Sequence, residues 1–198
     1  MGGSTLTRHR KVALVFTGIF LAIFIVIIIG VLEQGRYDYA KNIAIKAGLL
    51  VIYTFLDMKY NIQLSNYIRV FVMTVLVSDS FAGLYLNLYA TSSVFDKIQH
   101  VFGGYAFSLF AYTLICTLTR PVINRAFSLL FVISLGLSIG AIYEIGEFIG
   151  DATMRPMIPS QPSLLDTDLD LLADLGGALL AAIHVAIVLS YNRAPSLR

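Results

Sequence analysis

The chain has 198 residues, 58% of them hydrophobic and only 13% charged, and its mean hydropathy of +0.80 is far above what a soluble domain of this size needs to build a core. Water is therefore excluded as its main solvent, and a formal charge of +2 argues against a nucleic-acid partner, because binding a phosphate backbone needs a concentrated basic surface. The single Cys116 lies in an apolar stretch with no second cysteine to pair with, so no disulfide framework shapes the fold.

A hydrocarbon layer about 30 Å thick takes roughly 20 apolar residues per helical crossing. The apolar stretches here are long and unbroken, which argues against the alternating strands of a β-barrel. The sequence thus predicts an all-α integral membrane protein, a single polytopic domain over residues 1–198 built as a bundle of about six transmembrane helices.

The first span covers 11–32; it is longer than a signal-peptide core, no A-x-A type cleavage site follows it, and it reads as a retained helix. The second, 42–57, is short and carries Lys46. It either crosses at a tilt or lies in the interface with its lysine snorkelling to the headgroups, which would leave five spans. The third, 67–89, holds Asp79 between Ser78 and Ser80. The fourth, fifth and sixth cover 97–118, 126–149 and 169–191, separated by a break around Pro121 and by a segment over 151–168 that contains three prolines.

Lysine and arginine set the orientation, since cytoplasmic segments are enriched in them. With the N-terminus inside, Arg8, Arg10, Lys11, Lys59, Arg69, Arg120, Arg125, Arg193 and Arg198 are cytoplasmic, against Arg36, Lys41, Lys46, Lys97 and Arg155 outside. The balance predicts a protein of the cell inner membrane with both termini cytoplasmic. Tyr37, Tyr39, Tyr60, Tyr67, Tyr89 and Tyr191 fall near span ends, as an interfacial aromatic belt requires.

Eight of the twelve acidic residues lie between Asp96 and Asp174, so acidity is concentrated where spans four, five and six end on one membrane face. Span four begins with Asp96 and His100 one helical turn apart; span five ends with Glu144 and Glu147 at i, i+3; span six carries Asp166, Asp170 and Asp174 at i, i+4, i+8. Gly103, Gly104, Gly176 and Gly177 follow, allowing close backbone approach. Carboxylates on one face repel unless a cation, a shared proton or a basic group lies between them.

Three arrangements satisfy such a cluster: a divalent cation, shared protons equipping a general acid and base, or a solvated acidic rim. In the first, a histidine tilts the choice toward Zn²⁺ or Mn²⁺. The ligands are then His100, Glu147, Asp170 and Asp174, catalysis falls to Glu144, Glu147 and Asp170, and Asp96, Arg155 and Asp166 bind substrate. Arg155 is suited to pairing with a carboxylate or to binding a substrate phosphate or carboxylate, and reads equally as a loose surface arginine. Asp166 and Asp168, beside the prolines, read equally as a solvated loop or a helix N-cap. Asp79 is a deeper member of the cluster or a structural acid, and His184 reads as a helix-packing residue.

Several motifs fail. Asp166, Asp168 and Asp170 match the opening of an EF-hand loop, but Leu171 replaces its glycine and Gly177 its glutamate. Asp170 and Asp174 form D-x-x-x-D without the D-G-x-x-A-R element of CDP-alcohol phosphotransferases, and no G-x-S-x-G, H-E-x-x-H or P-loop occurs.

Three blocks carry a resemblance: FDKIQHVFGGYAFSL from Phe95, AIYEIGEF from Ala141 and LLDTDLDLLADLGGALLAAI from Leu164. In this order they resemble the YjdF-like inner-membrane family, through Asp96 with His100, Tyr143 with Glu144 and Glu147, and Asp166, Thr167 and Asp170. A second likeness runs to VanZ-like membrane proteins, with Asp174 standing where those have an asparagine. The resemblance covers roughly the last hundred residues and implies a six-helix inner-membrane protein with no established reaction.

The residues alone therefore lead to a membrane-embedded acidic and histidine site near the outer leaflet, with a divalent metal as the candidate cofactor. The expected partners are the lipid bilayer and a lipid or lipid-linked substrate. Two other classes stay open, an ion- or proton-coupled transporter and a non-catalytic assembly partner whose acids pair with another subunit.

Overall fold

In lipid every backbone polar group must pair within its own segment, and long apolar runs free of interior proline meet that demand as helices. The computed structural model describes residues 2–62, 64–154 and 159–191; among these it forms seven α-helices and no strand. Five segments are long and apolar enough to cross a membrane: Arg10–Glu33, Asn66–Tyr85, Phe95–Thr119, Arg125–Thr153 and Leu164–Ser190. The protein is an all-α membrane protein. It divides into two units, Met1–Thr91 and Ser92–Arg198.

The first unit contains α1 (Gly2–Glu33), α2 (Tyr37–Tyr60), α3 (Asn66–Ser78) continued by a π-helical turn (Asp79–Tyr85), and α4 (Leu88–Thr91). Phe24, Ile27 and Val31 of α1 and Ile43 and Leu50 of α2 are buried, and Thr17 and Thr54 join these two helices through a 2.8 Å hydroxyl contact. The expected second span falls within α2, which is not among the five strongly apolar segments. Its charges explain why: Lys41, Lys46, Asp57 and Lys59 all lie on it. Lys46 does not snorkel outward but pairs with Asp79, and Asp57 accepts a 2.8 Å bond from Arg69 Nη2, both side chains being buried.

The expected third span, 67–89, corresponds to the segment Asn66–Tyr85 and ends earlier than expected. At Asp79 the helix widens to an i→i+5 pattern, seen in the 2.8 Å bond from Leu86 N–H to Phe81 O, and Asn87 then turns left-handed at φ 62°. Asp79 takes Lys46 and Tyr89 of its own unit as partners, the latter at 2.8 Å. Its partners among these contacts all lie within the first unit, and the widened turn begins at this residue.

The second unit is a three-helix assembly of α5 (Phe95–Thr119), α6 (Arg125–Met154) and α7 (Leu164–Tyr191). Asn124 caps α6 by accepting Phe127 N–H at 2.8 Å, and Ser163 Oγ accepts Asp166 N–H at 3.2 Å. The second cap starts α7 ahead of the expected span, so Asp166 and Asp168 belong to its first turns. Leu109, Val132, Ala181, Ala182 and Val185 form the apolar core. At Gly177 of α7 a Cβ would overlap Val101 O of α5, so only glycine allows these two backbones to lie this close.

Candidate functional site

Helix ends bring the acids together. α5 and α7 begin, and α6 approaches its end, on the same side of the second unit. His100 on α5, Glu144 on α6 and Asp170 and Asp174 on α7 are all buried, Asp170 to 1% exposure and Glu144 to 4%. Burying ionisable groups in a membrane helix costs about 2.5 to 3.5 kcal/mol each on insertion scales, so this cluster needs a partner of opposite charge.

The arrangement is ordered around His100. Its Nε2 faces three carboxylate oxygens at nearly equal range: Glu144 Oε1 at 3.6 Å, Asp96 Oδ1 at 3.7 Å and Asp170 Oδ1 at 3.7 Å. None is within hydrogen-bond distance of that nitrogen. On the other side of the ring, Nδ1 lies 3.2 Å from Asp174 Oδ2, and Tyr143 packs edge-on against the ring at 5.6 Å.

Each of the three carboxylates has its other oxygen held. Lys97 Nζ donates to Asp96 Oδ2 at 3.1 Å and to Asp170 Oδ2 at 2.7 Å, and also to Asp166 Oδ1 at 2.6 Å. Gln161 Nε2 donates to Glu144 Oε2 at 2.7 Å and to Glu144 O at 2.8 Å. Gln161 is itself fixed, since its backbone N–H and that of Ser160 bind the two oxygens of Asp151 at 2.9 and 3.0 Å. One oxygen of Asp96 and of Glu144 is thus anchored while the other faces His100 Nε2; both oxygens of Asp170 lie 2.7 Å from Lys97 Nζ.

Among the described residues, Glu144 Oε1 is buried with no hydrogen-bond partner. Asp170 Oδ1 likewise has no hydrogen bond, its 2.7 Å approach to Lys97 Nζ falling outside hydrogen-bond alignment. Glu144 Oε1 thus loses its hydration without a compensating hydrogen bond, whereas the Lys97 ammonium stands against Asp170 Oδ1. Donor atoms of Asp96, His100 and Asp170 all lie within 4.8 Å of one another, which would let them hold one metal ion. Glu144 faces the same nitrogen from α6, outside that tighter group.

Asp174 packs closely as well: a Cβ at Gly140 of α6 would overlap its carboxylate. The carboxylate–histidine contact is thus fitted into a notch that glycine leaves open.

The expected residues distribute as follows. His100 and Asp170 sit at the centre. Asp96, expected on the substrate, lies beside them, and Asp166 is tied to Lys97. Asp174, expected as a ligand, meets the opposite ring nitrogen. Glu147 is half-buried one turn beyond Glu144 and is not in the tight group. Arg155 lies outside the described residues. Sequence reading missed Lys97 and Gln161. Lys97 adjoins Asp96 in the D-K-x-x-H block and could have been found by asking which base neutralises the acids, whereas Gln161, between two prolines, carries no local signal.

Residues 12–191 match a family described as Predicted membrane protein (DUF2238). The chain is also 34% identical over 98 residues to an uncharacterized protein of Thermotoga maritima, an alignment covering 50% of each chain. The matched region therefore spans about half the length of that curated relative. No solved structure matches the chain.

Proposed function

The chain belongs to the family of predicted membrane proteins DUF2238, and from that premise we propose that it is a metal-dependent multi-pass protein of the cell inner membrane acting on a lipid or lipid-linked substrate. One observation carries the reading: carboxylates of Asp96, Glu144 and Asp170, from three helices, each place one oxygen 3.6 to 3.7 Å from His100 Nε2, with Asp96 and Asp170 also held by Lys97 and Glu144 by Gln161. In a tetrahedral site with bonds of about 2.0 to 2.2 Å, donor atoms stand roughly 3.3 to 3.6 Å apart. The contacts of 3.6 to 3.7 Å around Nε2 are close to that spacing and longer than hydrogen bonds.

Asp96, His100 and Asp170 would hold the ion, with Glu144 as a further donor from α6. One imidazole with carboxylates suits Zn²⁺, Mn²⁺ or Fe²⁺ better than Ca²⁺. Such an ion would supply Lewis acidity, polarising a substrate oxygen or lowering the pKa of a water. Asp174 on Nδ1 fixes the tautomer in which Nε2 is free to ligate. Glu147, one turn from Glu144 and half-buried, is the general base in this reading.

Lipid access supports the substrate class. Phe102, Tyr143, Ile145, Phe148 and Leu169, interleaved with the site residues, all expose their side chains, which supports a site bordered by the apolar phase that would hold a lipid substrate. The excess of lysine and arginine at the other helix ends supports an outer-leaflet site with both termini cytoplasmic, which requires α2 to cross as a sixth span. The likeness to YjdF-like proteins supports the inner-membrane location.

The test is metal content and turnover together. The full chain, purified in detergent and equilibrated with Mn²⁺ or Zn²⁺, should retain about one ion, and Asp170→Ala and His100→Ala should lose it. In proteoliposomes followed by lipid mass spectrometry, Glu147→Gln should keep the metal and lose metal-dependent product. Equal metal content in wild type and Asp170→Ala would sink the proposal.

A further inference from the structure

Resting on the metal reading above, we infer that Lys97 is a resident second cation: its ammonium occupies the second position of a carboxylate-bridged pair, so the site takes one metal ion where its acids would otherwise take two.

Asp96 and Asp170 each face two directions. Asp96 Oδ1 lies 3.7 Å from His100 Nε2 while its Oδ2 accepts from Lys97 Nζ at 3.1 Å; Asp170 presents both oxygens to Lys97 Nζ at 2.7 Å, and its Oδ1 also lies 3.7 Å from His100 Nε2. Asp166 completes the lysine's coordination at 2.6 Å and makes no described contact with His100. The ammonium is thus bound by three carboxylates, two of which also border the histidine position. Two carboxylates shared between neighbouring cation positions are the pattern of two-metal sites, whose ions stand about 3.5 to 4 Å apart.

The charge balance favours this arrangement. Lys97 contacts Asp96, Asp166 and Asp170, and His100 borders Asp96, Glu144, Asp170 and Asp174. One divalent ion beside a fixed ammonium neutralises much of that charge. A second divalent ion would have to expel the ammonium from three short contacts. A lysine also does what an exchangeable ion does not, keeping Asp96 and Asp170 oriented whether or not the first position is filled.

The experiment is stoichiometry by element analysis on the full chain in detergent, saturated with Mn²⁺ and desalted, for wild type, Lys97→Ala and Lys97→Arg. Wild type and Lys97→Arg should hold one ion per chain and Lys97→Ala two, a twofold rise. Two ions in wild type overturn the inference, as does one or none in a Lys97→Ala protein that stays monodisperse and helical. Should Lys97→Ala fail to fold, electron paramagnetic resonance of Mn²⁺-saturated wild type decides: an isolated-ion spectrum supports the inference, and a spin-coupled pair refutes it. No ion in wild type removes the metal reading itself, an outcome separate from the others.

Discussion

The side-chain amide of Gln161 donates to both the carboxylate and the backbone carbonyl of Glu144, at 2.7 and 2.8 Å. A residue from the segment between α6 and α7 therefore sets the rotation of a buried acid and decides which of its oxygens faces His100.

Loss of that amide is expected to weaken metal binding without unfolding the protein. Outer partners of ligands are typically worth 10- to 100-fold in affinity. Gln161→Ala should fall within that range by competitive Mn²⁺ titration, while Gln161→Glu, which sets a carboxylate against a carboxylate, should be worse. Unchanged affinity in both variants would show that Glu144 is not a ligand.

Asp174 gives a second check. In Asp174→Asn the contact with His100 Nδ1 can persist, but the amide no longer supports charge on the ring. Affinity should drop by about tenfold or more, with helical content retained. An intact affinity would mean that Asp174 serves packing alone.

At Gly140, where a Cβ would overlap the Asp174 carboxylate, alanine forces that side chain out of its notch. Overpacking of this kind costs about 1 to 3 kcal/mol, and here it should lower metal affinity along with thermal stability. Gly177→Ala, pressed against the backbone at Val101, should lower stability at least as much because a backbone carbonyl cannot swing away. Thermal denaturation in detergent measures both, and a stable Gly177→Ala protein would contradict the close α5–α7 approach.

The Asp57–Arg69 pair is buried to 1% and 6% side-chain exposure, so removing one partner leaves an uncompensated charge. Arg69→Met should destabilise by about 3 to 5 kcal/mol, and the double change Asp57→Leu with Arg69→Met should recover much of that loss. The readout is denaturant midpoint or yield of monodisperse protein. A double variant no better than the single would assign the pair a role beyond mutual neutralisation.

The membrane class and all-helical build were legible in the sequence because both follow from local properties: unbroken apolar length, and the need for each backbone group to pair within its segment. The spacing of Glu144 with Glu147, and of Asp166, Asp170 and Asp174, is likewise a property of one helix at a time, so shared faces could be read directly. Less legible was the third span. Its widened turn begins at Asp79, which pairs with Lys46 and Tyr89, and no local pattern announces which distant side chain will reach that acid.

Sequence by itself determined that costly ionisable residues would collect where α5, α6 and α7 share an end, because helix direction and residue spacing suffice for that. Only the tertiary structure decided which oxygen of each acid faces His100, that Lys97 sits among three carboxylates, and that Gln161 fixes Glu144. Those outcomes depend on side-chain directions and close approaches between separate helices, set by glycines at single crossing points and by loop residues with no periodicity to reveal them.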